Sequence, residues 1–137
     1  MVALPAGVVR FPSVDVRAPG DVASPVTLRA LPRPVNLLTY RGDDFAFSLT
    51  VWEEDGTEAD LSAATIRAQV RATPDAADPP LTDLVVDVTA NVVELHLPAA
   101  ESAKLPHSAT WDCEMVRNAW TTTLAAGNVV TTADVTR

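Results

Sequence analysis

Hydrophobic and polar side chains alternate along most of the chain after residue 35, with the period of two that is typical of β-strands. The segment FAFSLTVWE shows the pattern best, because one face carries only large apolar side chains: Phe45, Phe47, Leu49 and Val51. The opposite face holds Ala46, Ser48, Thr50 and Trp52. We therefore predict a strand that buries one of its two faces.

The same alternation predicts the inward faces of the later strands. These faces are Ile66, Ala68, Val70 and Ala72; Leu84, Val86 and Val88; Val93, Leu95 and Leu97; and Ala109, Trp111, Cys113 and Met115. Turn signals separate the strands at Asp55-Gly56, Ala90-Asn91 and Arg117-Asn118-Ala119. Residues 98–106 begin and end with proline and contain helix formers, which predicts one short helix. Residues 120–136 are predicted to form one long strand, or two strands with a kink near Gly127-Asn128.

Short strands separated by regularly spaced turns are typical of all-β folds. We predict an immunoglobulin-like antiparallel β-sandwich of about seven strands with one short helix, over residues 35–137. The chain has a single cysteine, so the two-cysteine pattern of antibody domains is absent from the sequence.

Residues 1–34 differ from the rest of the chain in proline content and in charge. They hold six of the 11 prolines, too many for helix interiors or central sheet strands. They also hold four arginines and two acidic residues, a net charge of +2, whereas the other six basic and 16 acidic residues sum to −10. This composition predicts an extended proline-rich N-terminal arm over residues 1–34, for which a disordered tail is the alternative.

Charge and hydropathy narrow the class of protein further. A net charge of −8 argues against nucleic-acid binding, which requires clustered Lys and Arg. No apolar run approaches the roughly 18 to 20 residues that span a bilayer, so we expect no membrane insertion. Residues 1–9 carry no charged side chain and are interrupted by Pro5 and Gly7, which argues against a secretory signal. A single cysteine allows no internal disulfide and fits assembly in a reducing cytoplasm.

Two polar segments resemble functional motifs but favour structural roles. Arg41-Gly42-Asp43 matches a cell-adhesion tripeptide, yet a core strand follows at once. We therefore expect a tight turn there, with the carboxylates of Asp43 and Asp44 bound to nearby backbone amides. The acidic cluster Glu53, Glu54, Asp55, Glu58 and Asp60 lacks the alternating ligand spacing of a calcium loop and predicts a solvated turn.

Histidine and cysteine likewise predict no chemistry. His96 falls on an outward face and His107 in a loop, and neither has further metal ligands in register. Cys113 alternates inward beside Trp111, so we expect a buried thiol with an ordinary or raised pKa. The motifs of serine hydrolases, phosphate loops and dinucleotide-binding folds are absent from the sequence. We predict that the protein is not an enzyme and binds no metal or cofactor.

Six residues are candidates for a protein interface. Trp52 falls on the polar face of its strand and Trp120 follows a turn, and exposed tryptophans often anchor interfaces. For both, burial under the arm or a neighbouring sheet is the alternative. The arginines of the arm would add a salt-sensitive attraction to acidic partners; they are Arg10, Arg17, Arg29 and Arg33.

Three stretches occur in a distinctive order: RGDDFAFSLTVWEEDGTEADLSAATIRAQVRA, VVELHLPAAESAKLP and LAAGNVVTTADVTR. With them, the region from Tyr40 to Arg137 resembles small immunoglobulin-like domains of tail and baseplate proteins of actinobacterial phages, including the N-terminal domains of baseplate upper proteins. The resemblance covers about seven tenths of the chain and excludes the arm. It implies a non-enzymatic virion part, built in the host cytoplasm, and it carries over no functional residue.

We therefore expect a virion structural protein, most simply a minor tail or baseplate subunit, whose arm docks on other virion proteins and on copies of itself. A proline-rich segment loses little conformational freedom on binding, and Val14-Asp15-Val16 and Val26-Thr27-Leu28 are long enough for a few strand hydrogen bonds. One alternative is a receptor- or carbohydrate-binding module at the tail tip that contacts the host surface through Trp52, Trp120 and the acidic turn. Another is a head decoration or head-to-tail joining protein.

Overall fold

The computed structural model describes residues 13–17, 32–53 and 55–133, with the backbone alone for residues 13–17. This part of the chain forms ten strands and one short helix. The strands are β1 (Ser13–Arg17), β2 (Arg33–Pro34), β3 (Leu37–Tyr40), β4 (Phe45–Trp52), β5 (Thr65–Arg71), β6 (Thr82–Asp83), β7 (Val85–Thr89), β8 (Val92–Leu97), β9 (Ser108–Arg117) and β10 (Trp120–Thr132). The helix, α1 (Ala99–Ser102), follows Pro98 and confirms the predicted short helix.

The strands are arranged in two sheets. One sheet has four strands in the order β1-β4-β8-β7, each antiparallel to its neighbours. In the six-stranded sheet, β10, β9, β5 and β6 follow one another antiparallel, whereas β2 and β3 both pair with β10 in the parallel direction. The predicted all-β class is therefore confirmed for the described residues.

Both sheets contribute to one hydrophobic core. The four-stranded sheet supplies Phe47, Leu49, Val51, Val93, Leu95 and Leu97, and the six-stranded sheet supplies Ala68, Val70, Ala109, Trp111, Cys113 and Met115. The rings of Phe47 and Trp111 meet edge to face with centroids 5.2 Å apart, a favoured geometry for aromatic pairs. The alternation of the sequence thus predicted the buried face correctly at all twelve of these positions.

Two predicted core positions are wrong, and each lies where a strand loses a neighbour. Ala72 is exposed because β5 ends at Arg71. Val88 is 39% exposed because β7 is the last strand of its sheet. β10 runs unbroken to Thr132, and its register shift lies between Thr123 and Ala125 rather than near Gly127.

The expected count of about seven strands misses the shortest elements. β2 and β6 have two residues each and therefore show no periodic pattern. β1 and β2 lie within residues 1–34, the predicted arm. β1 pairs with β4 over its whole length, from Ser13 opposite Trp52 to Arg17 opposite Ser48. Part of the predicted arm therefore lies along an edge of the protein's own four-stranded sheet.

Candidate functional site

The four arginines predicted as interface residues are divided between the two sheets and the undescribed part of the chain. Arg10 and Arg29 lie outside the described residues. The backbone of Arg17 ends β1 on the four-stranded sheet. Arg33 begins β2 on the six-stranded sheet, opposite Ala125. The two described positions thus mark the places where the N-terminal segment joins each sheet.

The two candidate tryptophans occupy different surroundings. Trp52 ends β4, is partly buried and forms an isolated bridge with Glu58 in the acidic turn. Trp120 begins β10 directly after the β9–β10 hairpin turn, and 49% of it is exposed. Trp120 is therefore exposed, as its position after a turn predicted. Trp52 does not line the pocket at Trp120 that is described next.

Trp120 lines an open pocket of about 390 Å³ between the β9–β10 hairpin and the acidic turn. The Arg117 guanidinium connects the two sides, because Nη2 donates to Glu53 Oε1 at 2.9 Å and Nη1 donates to the Asp60 carbonyl oxygen at 3.2 Å. Asn118 and Thr122 complete the polar part of the lining. The structure thus brings one predicted interface residue together with two members of the acidic cluster.

The Asp60 carboxylate beside this pocket is held in its charged form. Its Oδ1 accepts the Ser62 hydroxyl at 2.7 Å and the Ser62 amide at 3.0 Å. These bonds, the hydroxyl first, lower the pKa of Asp60 below its usual value. An exposed indole beside a carboxylate and an Arg–Glu pair can bind a polar ring with one apolar face, such as a saccharide.

The hairpin turn that presents Trp120 is strained. Asn118 and Ala119 both have positive φ, 53° and 61°, as the two central residues of a type I′ turn require. Asparagine tolerates this conformation, whereas the Cβ of alanine disfavours it. The turn itself was predicted from the sequence; its strain at Ala119 was not.

A second constellation, which the sequence analysis missed, fixes the N-terminal segment to β10. Between β2 and β3, the Val35 amide donates to the Ala126 carbonyl at 2.9 Å, and the Val35 carbonyl accepts the Trp111 indole Nε1 at 2.8 Å. The Asn36 side-chain oxygen accepts the Asn128 amide at 3.1 Å. We call these contacts the β10 anchor. Its one sequence signal is Gly127, a glycine inside a strand, which is typical of close backbone approach.

The space at Gly127 confirms that close approach. A Cβ placed on Gly127 would lie 1.9 Å from the Val35 carbonyl oxygen and 2.6 Å from its carbon. Only glycine allows the β2–β3 connection to lie against β10 here. The β10 anchor therefore depends on backbone packing as well as on its hydrogen bonds.

The outer side of β3 carries two large exposed side chains. Leu38 is 73% and Tyr40 57% exposed, while Leu37 and Thr39, which alternate with them, are buried. The Thr39 hydroxyl donates to that of Thr131 at 3.1 Å inside the protein. Leu37 and Thr39 thus attach β3 to the interior of the protein, while Leu38 and Tyr40 present apolar surface on the outside.

The Arg41–Asp44 turn is part of the protein's internal structure. Gly42, with φ of 89°, donates its amide to the buried Ser102 Oγ at 2.9 Å, and that hydroxyl donates to the Asp43 carbonyl at 2.8 Å. Arg41 Nε donates to the Leu105 carbonyl at 3.2 Å. These bonds join the turn to the α1 segment and agree with the predicted tight turn.

Asp44 extends this connection to β8. Its Oδ1 accepts from His96 Nε2 at 2.9 Å and from the Ala99 amide at 3.1 Å. The His96 bond first, and then the Ala99 bond, lower the pKa of Asp44. The expected bond between an Asp44 carboxylate and a backbone amide is therefore confirmed, whereas Asp43 takes part through its carbonyl.

A wider polar pocket, about 680 Å³, lies on the outer face of the six-stranded sheet. Arg71 is fixed there by Asp78 Oδ1 at 2.6 Å, Gln69 Oε1 at 3.0 Å and the Ala76 carbonyl at 3.2 Å. Across the strands Arg67 is opposite Glu114. Opposite charges thus alternate over this face, as on a solvated sheet surface.

The remaining candidate groups have structural surroundings. His107 Nδ1 donates to the Thr131 carbonyl at 3.2 Å. Cys113 is fully buried, and burial, with the Asp112 and Glu114 charges, raises its pKa to about 12. Among the described residues no group of three or more His, Cys, Asp or Glu is placed to hold a metal.

The one helix of the described residues, α1, is too short to cross a membrane. No protein-family model matches the sequence, and no curated protein is significantly similar to it.

Proposed function

We propose that this chain is a non-enzymatic virion structural protein of a tailed phage, a minor tail or baseplate subunit whose N-terminal segment, residues 1–34, docks on neighbouring subunits. One observation carries the proposal. Ser13–Arg17 of this segment forms a strand through its main chain on the edge of a sheet. Strand addition to a sheet edge is a common way for an extended segment to bind a partner.

The finer fold assignment is part of the same proposal. The order β1-β4-β8-β7 corresponds to strands A-B-E-D of an immunoglobulin-like sandwich, and β10-β9-β5 corresponds to G-F-C. β6 then takes the place of the additional strand C′ of variable-type domains. In antibody domains the buried tryptophan lies on strand C, whereas Trp111 lies on β9, the F position. The topology supports the resemblance, and the aromatic position departs from the antibody pattern.

Charge supports docking on acidic neighbours. The N-terminal segment has a net charge of +2 and the rest of the chain −10, so copies of the protein attract one another's segments as well as other acidic proteins. Salt screens an attraction of this kind between charges in contact with water.

Deletion variants measured by incorporation into particles test the proposal. Removal of residues 2–12 leaves every described strand in place, and removal of residues 2–34 takes away β1 and β2 as well. We expect the longer deletion to abolish incorporation; its thermal unfolding, compared with that of the full chain, separates lost docking from lost folding. Full occupancy by a folded chain without residues 2–34 would refute the docking role.

Substitution of the four arginines tests the electrostatic part separately. Exchange of Arg10, Arg17, Arg29 and Arg33 for glutamate should weaken incorporation more at low than at high ionic strength, because salt screens the attraction in the original protein. Exchange of the same four residues for lysine keeps the charge and is the matched control. An equal loss at both ionic strengths would contradict an electrostatic contribution.

The pocket at Trp120 favours a second candidate, a receptor- or carbohydrate-binding module at the tail tip. It combines an exposed indole with Glu53, Asp60 and Asn118, groups that suit a saccharide. Trp120→Ala should then leave incorporation unchanged and reduce adsorption to host cells, with the exposed Leu81→Ala as a control outside the pocket. Unchanged adsorption would exclude this role. A head decoration or head-to-tail joining protein is the same class of function at another place, which labelling of particles would show.

A further inference from the structure

One edge of β4 is paired with β1, the strand that Ser13–Arg17 of the N-terminal segment forms. Val14 lies opposite Val51, Asp15 opposite Thr50, and β1 pairs with no other described strand. In the sequence, Pro12 directly precedes this strand and Pro19 follows two residues after it, and proline has no amide hydrogen with which to extend a ladder. The contact is therefore a short main-chain ladder, which any copy of β4 offers in the same form.

After β1, the next described attachment of the chain is the β10 anchor, which lies on the six-stranded sheet. Residues 18–32 connect β1 to β2 and can span at most about 50–54 Å, at 3.3–3.6 Å per residue. A domain of about 100 residues has a radius of gyration near 13 Å. Covalent length therefore permits β1 to reach the β4 edge of its own chain or that of an adjacent copy, while the β10 anchor stays the same.

We propose that Ser13–Arg17 pairs with the β4 edge of a second copy of this chain when copies are packed side by side, in the antiparallel register that it has within one copy. The inference rests on the proposed function and adds to it the receiving edge and the partner. When two copies exchange β1, each contact within a copy is replaced by the same contact between copies. The exchange therefore requires no new surface on the sandwich. It can be reciprocal in a pair or continue along a row of copies.

The concentration of β4 edges around β1 determines whether β1 pairs within its own copy or with a second copy. A strand tethered by a short linker has an effective concentration on the order of millimolar at its own edge. Pairing within one copy therefore dominates in dilute solution, and exchange becomes substantial when neighbouring copies reach a similar local concentration. An ordered particle supplies this condition.

Cysteine pairs at opposite strand positions test the exchange. Full-length Asp15→Cys and Thr50→Cys chains, one with a small affinity tag, are unfolded, mixed, refolded at increasing protein concentration and oxidised. Opposite positions of antiparallel strands lie about 4.5–5.5 Å apart between Cα atoms, within the range of a disulfide. The tag gives the mixed disulfide a mass different from that of either homodimer. Reductant is kept until refolding is complete, when Cys113 is fully buried and adds no background.

Two controls make the result specific. Asp15→Cys mixed with Ala46→Cys places the second thiol four residues along β4, roughly 13 Å from the paired position. The double variant Asp15→Cys, Thr50→Cys in one chain reports pairing within a copy. We expect the mixed disulfide of the paired positions to rise with concentration and to exceed the off-register control several-fold, while the double variant closes internally at low concentration.

The proposal is overturned if the paired positions give no more mixed disulfide than the off-register control at the highest concentration, although the double variant closes internally. If residues 2–34 are then still required in particles, the segment docks on a different protein and the proposed function stands. Incorporation of the folded deletion variant counts against the proposed function, whatever the disulfides show.

Discussion

Substitution of Gly127 by alanine tests how the N-terminal segment is attached to the sandwich. The added Cβ would lie 1.9 Å from the Val35 carbonyl oxygen. Ordinary contact requires a further separation of roughly 1.5 Å, which the backbone of the β2–β3 connection must provide. Because the φ of Gly127 is one that other residues adopt, the penalty is steric and falls on the β10 anchor.

The magnitude follows from the bonds that this displacement breaks. Two bonds join Val35 and Asn36 to the backbone of β10, and each contributes about 0.5–1.5 kcal/mol. Loss of the third bond leaves the Trp111 indole N–H without its acceptor inside the protein, which costs about 1–3 kcal/mol. We therefore expect Gly127→Ala to lower the free energy of unfolding by about 2–6 kcal/mol.

Urea unfolding of Gly127→Ala beside Gly56→Ala provides the measurement. Gly56 has φ of 86° and no atom within 4 Å of an added Cβ, so its substitution adds backbone strain of about 1–2 kcal/mol without a clash. Hydrogen exchange of the Val35 and Asn128 amides should also accelerate in Gly127→Ala alone. Equal destabilisation by the two substitutions, with unchanged exchange at these amides, would refute the reasoning.

Three further predictions concern the turns. Ser102→Ala removes the hydroxyl that joins the Arg41–Asp44 turn to α1 and should cost about 1–3 kcal/mol in urea unfolding, against little change for the exposed Ser108→Ala. The folded pKa of Asp44 lies below its usual 3.8, so its carboxylate stabilises the fold above about pH 4. This stabilisation is lost as the pH falls through the folded pKa. The melting temperature of Asp44→Asn should therefore differ from that of the original protein at neutral pH and converge with it in acid. Ala119→Gly relieves the strain at φ 61° and should raise stability by about 0.5–1 kcal/mol, read as a higher melting temperature.

Each of these has a contrary outcome. Unchanged unfolding of Ser102→Ala would mean that the turn is held by other contacts. A difference between Asp44→Asn and the original protein that persists at low pH would show that the charge is not its source. A lower melting temperature of Ala119→Gly would show that the side chain contributes more by contact than it loses by strain.

Local alternation predicted much of the core because a pleated strand points successive side chains to opposite faces whatever its neighbours are. The failures at Ala72 and Val88 occur at a strand end and at a sheet edge, where burial depends on what lies alongside. The candidate site shows the same division. The position of Trp120 after a turn predicted its exposure, but nothing near it in sequence indicates that Asp60 and Glu53 line the same pocket.

The sequence by itself determined the strand period, the turns, the short helix and the contrast in charge between residues 1–34 and the rest, because these are properties of neighbouring residues. The tertiary structure decided which edges pair. It placed Ser13–Arg17 on β4, brought Val35 against Gly127 and joined Asp44 to His96, contacts between residues far apart in the chain. A strand edge presents the same amides and carbonyls in every sequence, so its partner is selected by the packing of the whole molecule.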